Sequence, residues 1–310
     1  MIQTKAPSRK LGLSMALLTA FLWAVLAIKL KLTLKYIDSY SIVWFRLTFA
    51  FVFLLIVKLI KAPREILILK APPLKGLIAS LALGANYLFY MKGVEFTSAS
   101  NAQILIQLAP VGLILVGIFL FKEWPTKIQV LGFTLALIGF ALFYQDQLSA
   151  TLAVNQHSFR EGNIWLIVGA FAWTLFAALQ KPLLKFYDPQ QLNLLLYGVA
   201  SLVLIPFTNW SSFLSLPPIA WTLLISLGLN TVVAYGALPI AFQNLPTSQV
   251  SLIIAANPLL TIFIMTLFSA FEVSWIAPEH IARLGFFAAG LVVCGVVLAL
   301  QSRKISTAKA

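Results

Sequence analysis

The chain has 310 residues and a net charge of +13, and 61% of its residues are hydrophobic against 10% that are charged. Soluble domains have roughly 45–50% apolar and about 25% charged residues, so this composition excludes a soluble fold and indicates an integral membrane protein. The basic excess does not indicate a nucleic-acid partner, because the basic residues lie in short clusters between apolar runs, as in the cytoplasmic loops of membrane proteins.

Ten apolar stretches are long enough to cross a membrane, since a transmembrane helix needs about 20 mainly apolar residues. In chain order they are residues 11–31, 40–60, 74–93, 98–120, 126–145, 162–181, 190–209, 219–240, 247–270 and 281–301. The first resembles a signal peptide, but it is longer than a usual signal sequence and no small-residue cleavage site follows it. The sequence therefore predicts an all-α membrane protein with ten transmembrane helices.

A polar pattern recurs in the two halves of the chain. Residues 31–38 read KLTLKYID and residues 181–188 read KPLLKFYD, so two lysines, a leucine and an aspartate return at an offset of 150. Chance similarity between apolar sequences explains shared leucines but explains shared charges at one offset poorly. Five spans per half is an odd number, so the second copy crosses the membrane in the opposite sense. We expect two inverted five-helix repeats around a central cavity, an arrangement common in secondary transporters.

The repeats set the expected organisation of the chain. The first repeat is expected over residues 1–145, an inter-repeat loop over 146–161, the second repeat over 162–301 and a cytoplasmic tail over 302–310. Lysine and arginine are more frequent on the side that holds the N-terminus, which predicts that both termini are cytoplasmic. The three lysines at 29–35 run against this rule.

These features resemble the drug/metabolite transporter superfamily, in its EamA-type branch. The resemblance covers nearly the whole chain and rests on the two five-span halves, AFLW at 20–23, WFRLTF at 44–49 and EFTSASNAQILIQLAP at 95–110, whose counterpart is LPTSQVSLIIAANP at 245–258. It implies a central cavity lined by both halves, in a protein of the bacterial inner membrane. It also implies a secondary transporter that exports small metabolites, amino acids or related compounds, by alternating access.

Other functions stay open from the sequence: an exporter of drugs or of metabolites such as nucleosides, a channel or membrane scaffold, or an intramembrane enzyme. The acidic residues all fall in loops or near the ends of spans, and the phosphate-binding pattern GxxxxGK[ST] is absent. We therefore expect no enzymatic activity, cofactor or metal. The expected partners are a small-molecule substrate and the lipid bilayer, without nucleic acid, and the expected state is a monomer or homodimer.

Polar residues inside the apolar spans are the first candidates for the substrate site. Gln103 and Gln107 lie four apart and share a helix face, and Ser251 and Asn257 are comparable positions in the second half. An amide facing lipid costs several kcal/mol, so these side chains either line a wet cavity or bond to other helices. Asn86, Tyr87 and Tyr90 in the third span and Asn230 and Tyr235 in the eighth are further cavity candidates.

Prolines, tryptophans and one arginine complete the candidates. Pro110 and Pro258 either free backbone carbonyls of Ile106 and Ile254 for a ligand or simply kink their helices. Trp23 and Trp173, related by the repeat, are either cavity walls or packing residues. Arg46 is the one charge clearly inside a span, and it either attracts a carboxylate or extends to the outer surface. The full predicted set is Trp23, Arg46, Asn86, Tyr87, Tyr90, Gln103, Gln107, Pro110, Trp173, Asn230, Tyr235, Ser251, Asn257 and Pro258.

Overall fold

The computed structural model describes residues 8–109, 111–112, 116, 126–151, 156–245, 247–279 and 281–299. Within these ranges the chain forms helices and no β-strand. The α-helices are α1 (Arg9–Thr33), α2 (Ser39–Lys61), α3 (Leu74–Phe96), α4 (Ala99–Leu105), α5 (Lys127–Thr151), α6 (Gln156–Leu183), α7 (Pro189–Leu204), α8 (Trp210–Leu214), α9 (Pro218–Asn244), α10 (Thr247–Ala255), α11 (Asn257–Ala270) and α12 (Arg283–Ala299). Two 3₁₀ segments, Pro63–Leu69 and Ile205–Phe207, follow α2 and α7.

The helices have the length and composition of membrane spans. Eight helical segments of the described chain are long and apolar enough to cross a membrane, and α12 is a shorter apolar helix of 17 residues. The all-α class is therefore confirmed. Ten transmembrane helices remain a prediction, because part of the fourth predicted span, 98–120, lies outside the described residues, namely 110, 113–115 and 117–120.

The ninth predicted span, 247–270, holds α10 and α11, and its Pro258 was expected either to free a backbone carbonyl or to kink the helix. The structure interrupts it at Ala256, between α10 and α11. Pro258 accounts for the break, because proline has no backbone N–H and its ring clashes with the carbonyl four residues earlier, that of Ile254. The chain therefore turns before it resumes a helix at Asn257.

The predicted inter-repeat loop is shorter than the 146–161 expected from its polar composition. Helix α5 continues to Thr151 and α6 begins at Gln156. The segment 146–161 holds neither proline nor glycine. Polar residues without such helix breakers continue a helix beyond the apolar part of a span.

The recurring octets build the same local structure. Each runs from the last turn of a long helix, through a short turn, to an aspartate that caps the next helix. Asp38 accepts a hydrogen bond from the Ser41 amide at the start of α2, and Asp188 accepts from the amides at 190–191 at the start of α7. These bonds satisfy N–H groups that the first turn of a helix leaves unpaired.

The two octets lie at opposite ends of the helix bundle. Near the start of α2, the Ser41 hydroxyl accepts from the Asn209 amide at 3.0 Å. Near its other end, Lys58 donates to Asp188 at 3.1 Å. We name these the 34–38 end and the 184–188 end, after the turns they carry. Helices α2 and α7 therefore run in opposite directions, as inverted repeats require.

Helix packing repeats with the two halves exchanged. Helix α3 packs along α6, and α1 packs along α9. Helices α2 and α7 form a pair, and so do α5 and α12, each joining counterparts of the two halves. Small residues permit the close approach of α5 and α12, since a Cβ added at Gly132 would lie 2.6 Å from the carbonyl oxygen of Gly295. The buried core therefore lies where the halves meet.

Candidate functional site

A buried arginine lies between the two halves of the bundle. Arg46 on α2 is 3% exposed, and its Nη2 lies 3.4 Å from Oγ1 of Thr231 on α9. Its guanidinium carbon is 4.7 Å from the ring centre of Tyr87 on α3, which is a cation–π contact. The side chain therefore packs inside the protein and does not extend to the membrane surface.

Two further aromatic side chains pack against Tyr235, which lies four residues after Thr231 on α9. The ring centre of Tyr235 on α9 is 5.8 Å from that of Trp23 on α1 and 6.2 Å from that of Tyr197 on α7. Tyr197 is 1% exposed. We name the whole group the Arg46 cluster: Trp23, Arg46, Tyr87, Tyr197, Thr231 and Tyr235. Both halves of the chain contribute to it.

Two polar atoms of the Arg46 cluster have no hydrogen-bond partner within the described structure. They are Nε of Arg46 and the hydroxyl oxygen of Tyr197, whereas the Tyr87 hydroxyl lies beside those of Tyr235 and Thr231. Leaving a buried polar group unpaired costs about 1–3 kcal/mol, and native proteins rarely do so. Lys58 and Lys92 form ion pairs in the described structure, and none of these pairs includes Arg46. A bound anion would give Arg46 both a partner and a countercharge.

Three of the predicted site residues use their side-chain amides for hydrogen bonds between helices. Asn86, Gln103 and Asn230 are buried, and each donates its side-chain amide to a backbone carbonyl of another helix. The acceptors are Gly169 at 2.9 Å, Trp23, and Leu22 at 2.8 Å. Of the two roles expected for these side chains, lining a wet cavity or bonding to other helices, the contacts correspond to the second. They link α3 to α6 and α1 to both α4 and α9.

The two interrupted helices meet at their breaks. Gln107, in the turn after α4, donates its amide to the carbonyl of Ala255, the last residue of α10, at 3.2 Å. Asn257 is buried and its Oδ1 has no partner among the described residues. Pro258 is buried at the second position of α11. Broken helices supply backbone groups to ligands in many transporters, but here Gln107 already occupies one such carbonyl.

The remaining predicted residues fall in different places. Tyr90 is 9% exposed and lies one turn after Tyr87 on α3. Trp173 packs against Phe176 on its own helix, with ring centres 6.2 Å apart, so the structure does not bring it into the Arg46 cluster. Pro110 and the side chain of Ser251 lie outside the described residues.

Two members of the Arg46 cluster were not among the predicted residues. Thr231 lies four positions before Tyr235, so the two share a face of α9, and that spacing was the available signal. Tyr197 lies within a predicted span, although tyrosine favours the membrane interface. Its depth was therefore the available signal for a functional role.

Two charged side chains close the bundle at the 34–38 end. Lys31, in the last turn of α1, donates to the carbonyls of residues 94, 95 and 97 at 2.7–2.9 Å. Glu279, between α11 and α12, accepts from the amides of Ala99 and Ser100 at 2.8 and 3.2 Å. Burial raises the pKa of Glu279, because desolvation of the carboxylate outweighs these bonds and the attraction of Lys31. The junction of α3 and α4 is thus held from both halves.

Two cavities lie apart from the Arg46 cluster. One of about 550 Å³ adjoins Asp146 and Glu279, and one of about 400 Å³ is walled by aromatic residues such as Trp44 and Phe213. No group of three or more histidine, cysteine or acidic residues within the described chain is arranged to hold a metal. The Arg46 cluster is closely packed in this conformation, so a ligand must part the helices to reach it.

Comparisons with known proteins agree with this architecture. The model of the EamA-like transporter family matches twice, at residues 10–145 and 160–301. A transporter of Haemophilus influenzae is 31% identical over 296 residues, covering 95% of this chain and 96% of that protein. The inner membrane transporter YhbE of Escherichia coli is 28% identical over 305 residues, covering 95% of this chain and 92% of YhbE.

A solved crystal structure also shares the fold. Its TM-score is 0.60 at 18% sequence identity, and the match covers 94% of this chain and 98% of the other. The two matches of one family model correspond to the two halves joined across the Arg46 cluster. This multi-pass membrane protein is a transporter, and it belongs to the EamA-like transporter family.

Proposed function

We propose that the protein is a secondary transporter that exports small metabolites, amino acids or related compounds, across the bacterial inner membrane by alternating access. The observation that carries the proposal is the Arg46 cluster. It joins Arg46 and Tyr87 of the first half to Thr231 and Tyr235 of the second. A site built by both halves of an inverted pair changes its access when the halves exchange shapes.

The domains and their orientation follow from the same proposal. Residues 1–145 and 162–301 are the two five-helix repeats, joined by the segment 146–161, and both termini lie in the cytoplasm. The 34–38 end then faces the periplasm and the 184–188 end faces the cytoplasm. Lys31 and Glu279 close the periplasmic end in the present conformation, so export requires their contacts with the α3–α4 junction to open.

The energetics of the Arg46 cluster favour movement of a loaded carrier. A buried guanidinium without a countercharge is costly, and a ligand stabilises whichever conformation it binds more tightly. Substrate binding would therefore give partners to the unpaired groups of Arg46 and Tyr197 and favour the closed, occupied state. Without a nucleotide-binding motif in the sequence, the driving force would be a concentration gradient of the substrate or of a coupled ion.

Counterflow in proteoliposomes tests the proposal. Vesicles containing the purified protein are loaded with one unlabelled compound, and uptake of the same labelled compound is followed. Amino acids, nucleosides and common antimicrobial drugs form the panel, and empty vesicles give the background. We expect uptake above background for at least one amino acid or related compound. Uptake of a nucleoside or a drug alone would reassign the substrate, and a folded protein that exchanges nothing on the panel would contradict the proposal.

A further inference from the structure

The chemistry of the Arg46 cluster defines the group that it binds. Arg46 presents an unpaired Nε and contacts one hydroxyl weakly, at 3.4 Å. The hydroxyl group of Tyr197 is buried and unpaired as well, and the Tyr87 hydroxyl lies beside those of Tyr235 and Thr231. Each of these groups can donate a hydrogen bond, and arginine can only donate. The donors therefore call for an acceptor that carries negative charge.

The charge balance around Arg46 supports the same conclusion. Acidic side chains of the described chain lie near the ends of helices, where Asp38, Asp188 and Glu279 bond to backbone amides and Glu65 and Glu95 pair with lysines. No described ion pair includes Arg46. Its positive charge is thus left for a ligand to balance.

Resting on the proposed function, we propose that Arg46, Tyr87 and Tyr197 bind the carboxylate of the transported molecule. The planar guanidinium matches the two oxygens of a carboxylate in a two-pronged contact, and the tyrosine hydroxyls add donors beside it. The rings of Trp23 and Tyr235 provide an apolar wall for the organic part. The site recognises the acid group, so an α-amino group is not required for binding.

A stability measurement without ligand separates this role from a structural one. A buried charge that waits for a ligand lowers the stability of the empty protein. We expect Arg46→Met to raise the thermal midpoint of the purified, ligand-free protein in detergent by several degrees. Arg64→Met serves as the matched control, because Arg64 is exposed, and we expect no change. A lower midpoint for Arg46→Met would mean that Arg46 holds the fold together, and it would overturn the assignment.

A binding measurement with a small probe tests the carboxylate itself. Sodium propionate is compared with propionamide and with sodium chloride at equal ionic strength, using the shift of the thermal midpoint. Of the three compounds, we expect only propionate to raise the thermal midpoint of the wild type. Arg46→Gln should lose that shift, and Arg46→Lys should keep part of it. Tyr197→Phe should reduce the shift without abolishing it. Equal shifts for propionate and chloride, or an unchanged propionate shift in Arg46→Gln, would overturn the inference.

Together with the counterflow assay, these two experiments distinguish a failure of the carboxylate site from a failure of the transport function. Binding of propionate through Arg46 without any exchange in vesicles would contradict the proposed transport function and leave the carboxylate site standing. Exchange of a substrate that does not depend on Arg46 would contradict the carboxylate site and leave the transport function standing.

Discussion

Lys31 and Glu279 hold the two sides of one helix junction from opposite halves of the chain. Lys31 donates to three carbonyls at and just beyond the end of α3, and Glu279 accepts from the first amides of α4. Backbone groups at helix ends have no partner within their own helix. The two side chains therefore complete the hydrogen bonding of the segment 94–100, which depends on both α1 and the segment 271–282.

Removing the Lys31 ammonium should loosen this junction. We expect Lys31→Met to lower the stability of the protein by about 2 kcal/mol, because hydrogen bonds from a charged donor are worth about 1.5–3 kcal/mol. Lys29→Met is the control, since Lys29 lies on the same helix and the donor to the 94–97 carbonyls is Lys31. Thermal unfolding in detergent and hydrogen exchange of residues 94–100 measure the effect. Equal losses for the two variants would contradict the role of Lys31.

Protonation of Glu279 should make the stability depend on pH. A carboxyl whose pKa is raised in the folded protein binds its proton more tightly when folded. Its stabilising contribution is complete below the unfolded pKa, whose ordinary value is 4.5, and is lost as the pH rises through the folded value. The thermal midpoint of the wild type, minus that of Glu279→Gln, should therefore fall as the pH rises from about 4 to about 8. A difference that grows with pH would mean that the amides and Lys31 outweigh burial.

The repeat-related tryptophans should differ in function. Trp23 borders Tyr235 in the Arg46 cluster, whereas Trp173 packs on Phe176 of its own helix. We expect Trp23→Ala to lower transport per folded molecule by about tenfold, which corresponds to ~1.4 kcal/mol of lost contact. Trp173→Ala should lower stability or yield instead. Transport normalised to folded protein in vesicles distinguishes the two, and equal transport defects would show that both line the site.

The contact between α5 and α12 should tolerate no added side chain. A methyl group at Gly132 would lie 2.6 Å from the Gly295 carbonyl oxygen, while the space around Gly290 is open. We expect Gly132→Ala to destabilise the protein by about 1–3 kcal/mol through overpacking. Gly290→Ala should be neutral or stabilising, because alanine favours a helix over glycine by about 1 kcal/mol. A neutral Gly132→Ala in thermal unfolding would mean that the helices separate without cost.

The sequence predicted the helices well because the membrane leaves little choice. Long apolar runs must be helical in lipid, and α1, α2 and α3 begin within two residues of their predicted starts. Pro258 indicated a disturbance of the helix near Ala256. It did not indicate whether the helix would bend or end there. The C-terminal end of α5 and the N-terminal start of α6 were not predicted, because a polar helix outside the membrane resembles a loop in composition.

The partners of the polar side chains were harder to predict. Gln103 and Asn230 were recognised as costly in lipid, yet their acceptors, the carbonyls of Trp23 and Leu22, depend on how α4 and α9 rotate against α1. Sequence spacing places residues on one face of a helix and does not determine that rotation. The same reason explains why Tyr197 was missed.

Distances between spin labels at the two ends test alternating access most directly. In a Cys294→Ser background, one label pair is placed at Tyr36 and Ser274 near the 34–38 end, and another at Arg64 and Lys185 near the 184–188 end. All four positions are exposed, and each pair joins the two halves. Double electron–electron resonance then gives both distances with and without a substrate found by counterflow. We predict that the two distances change reciprocally, one widening as the other narrows. Distances that stay fixed, or that widen together, would contradict a transporter that alternates between its two ends.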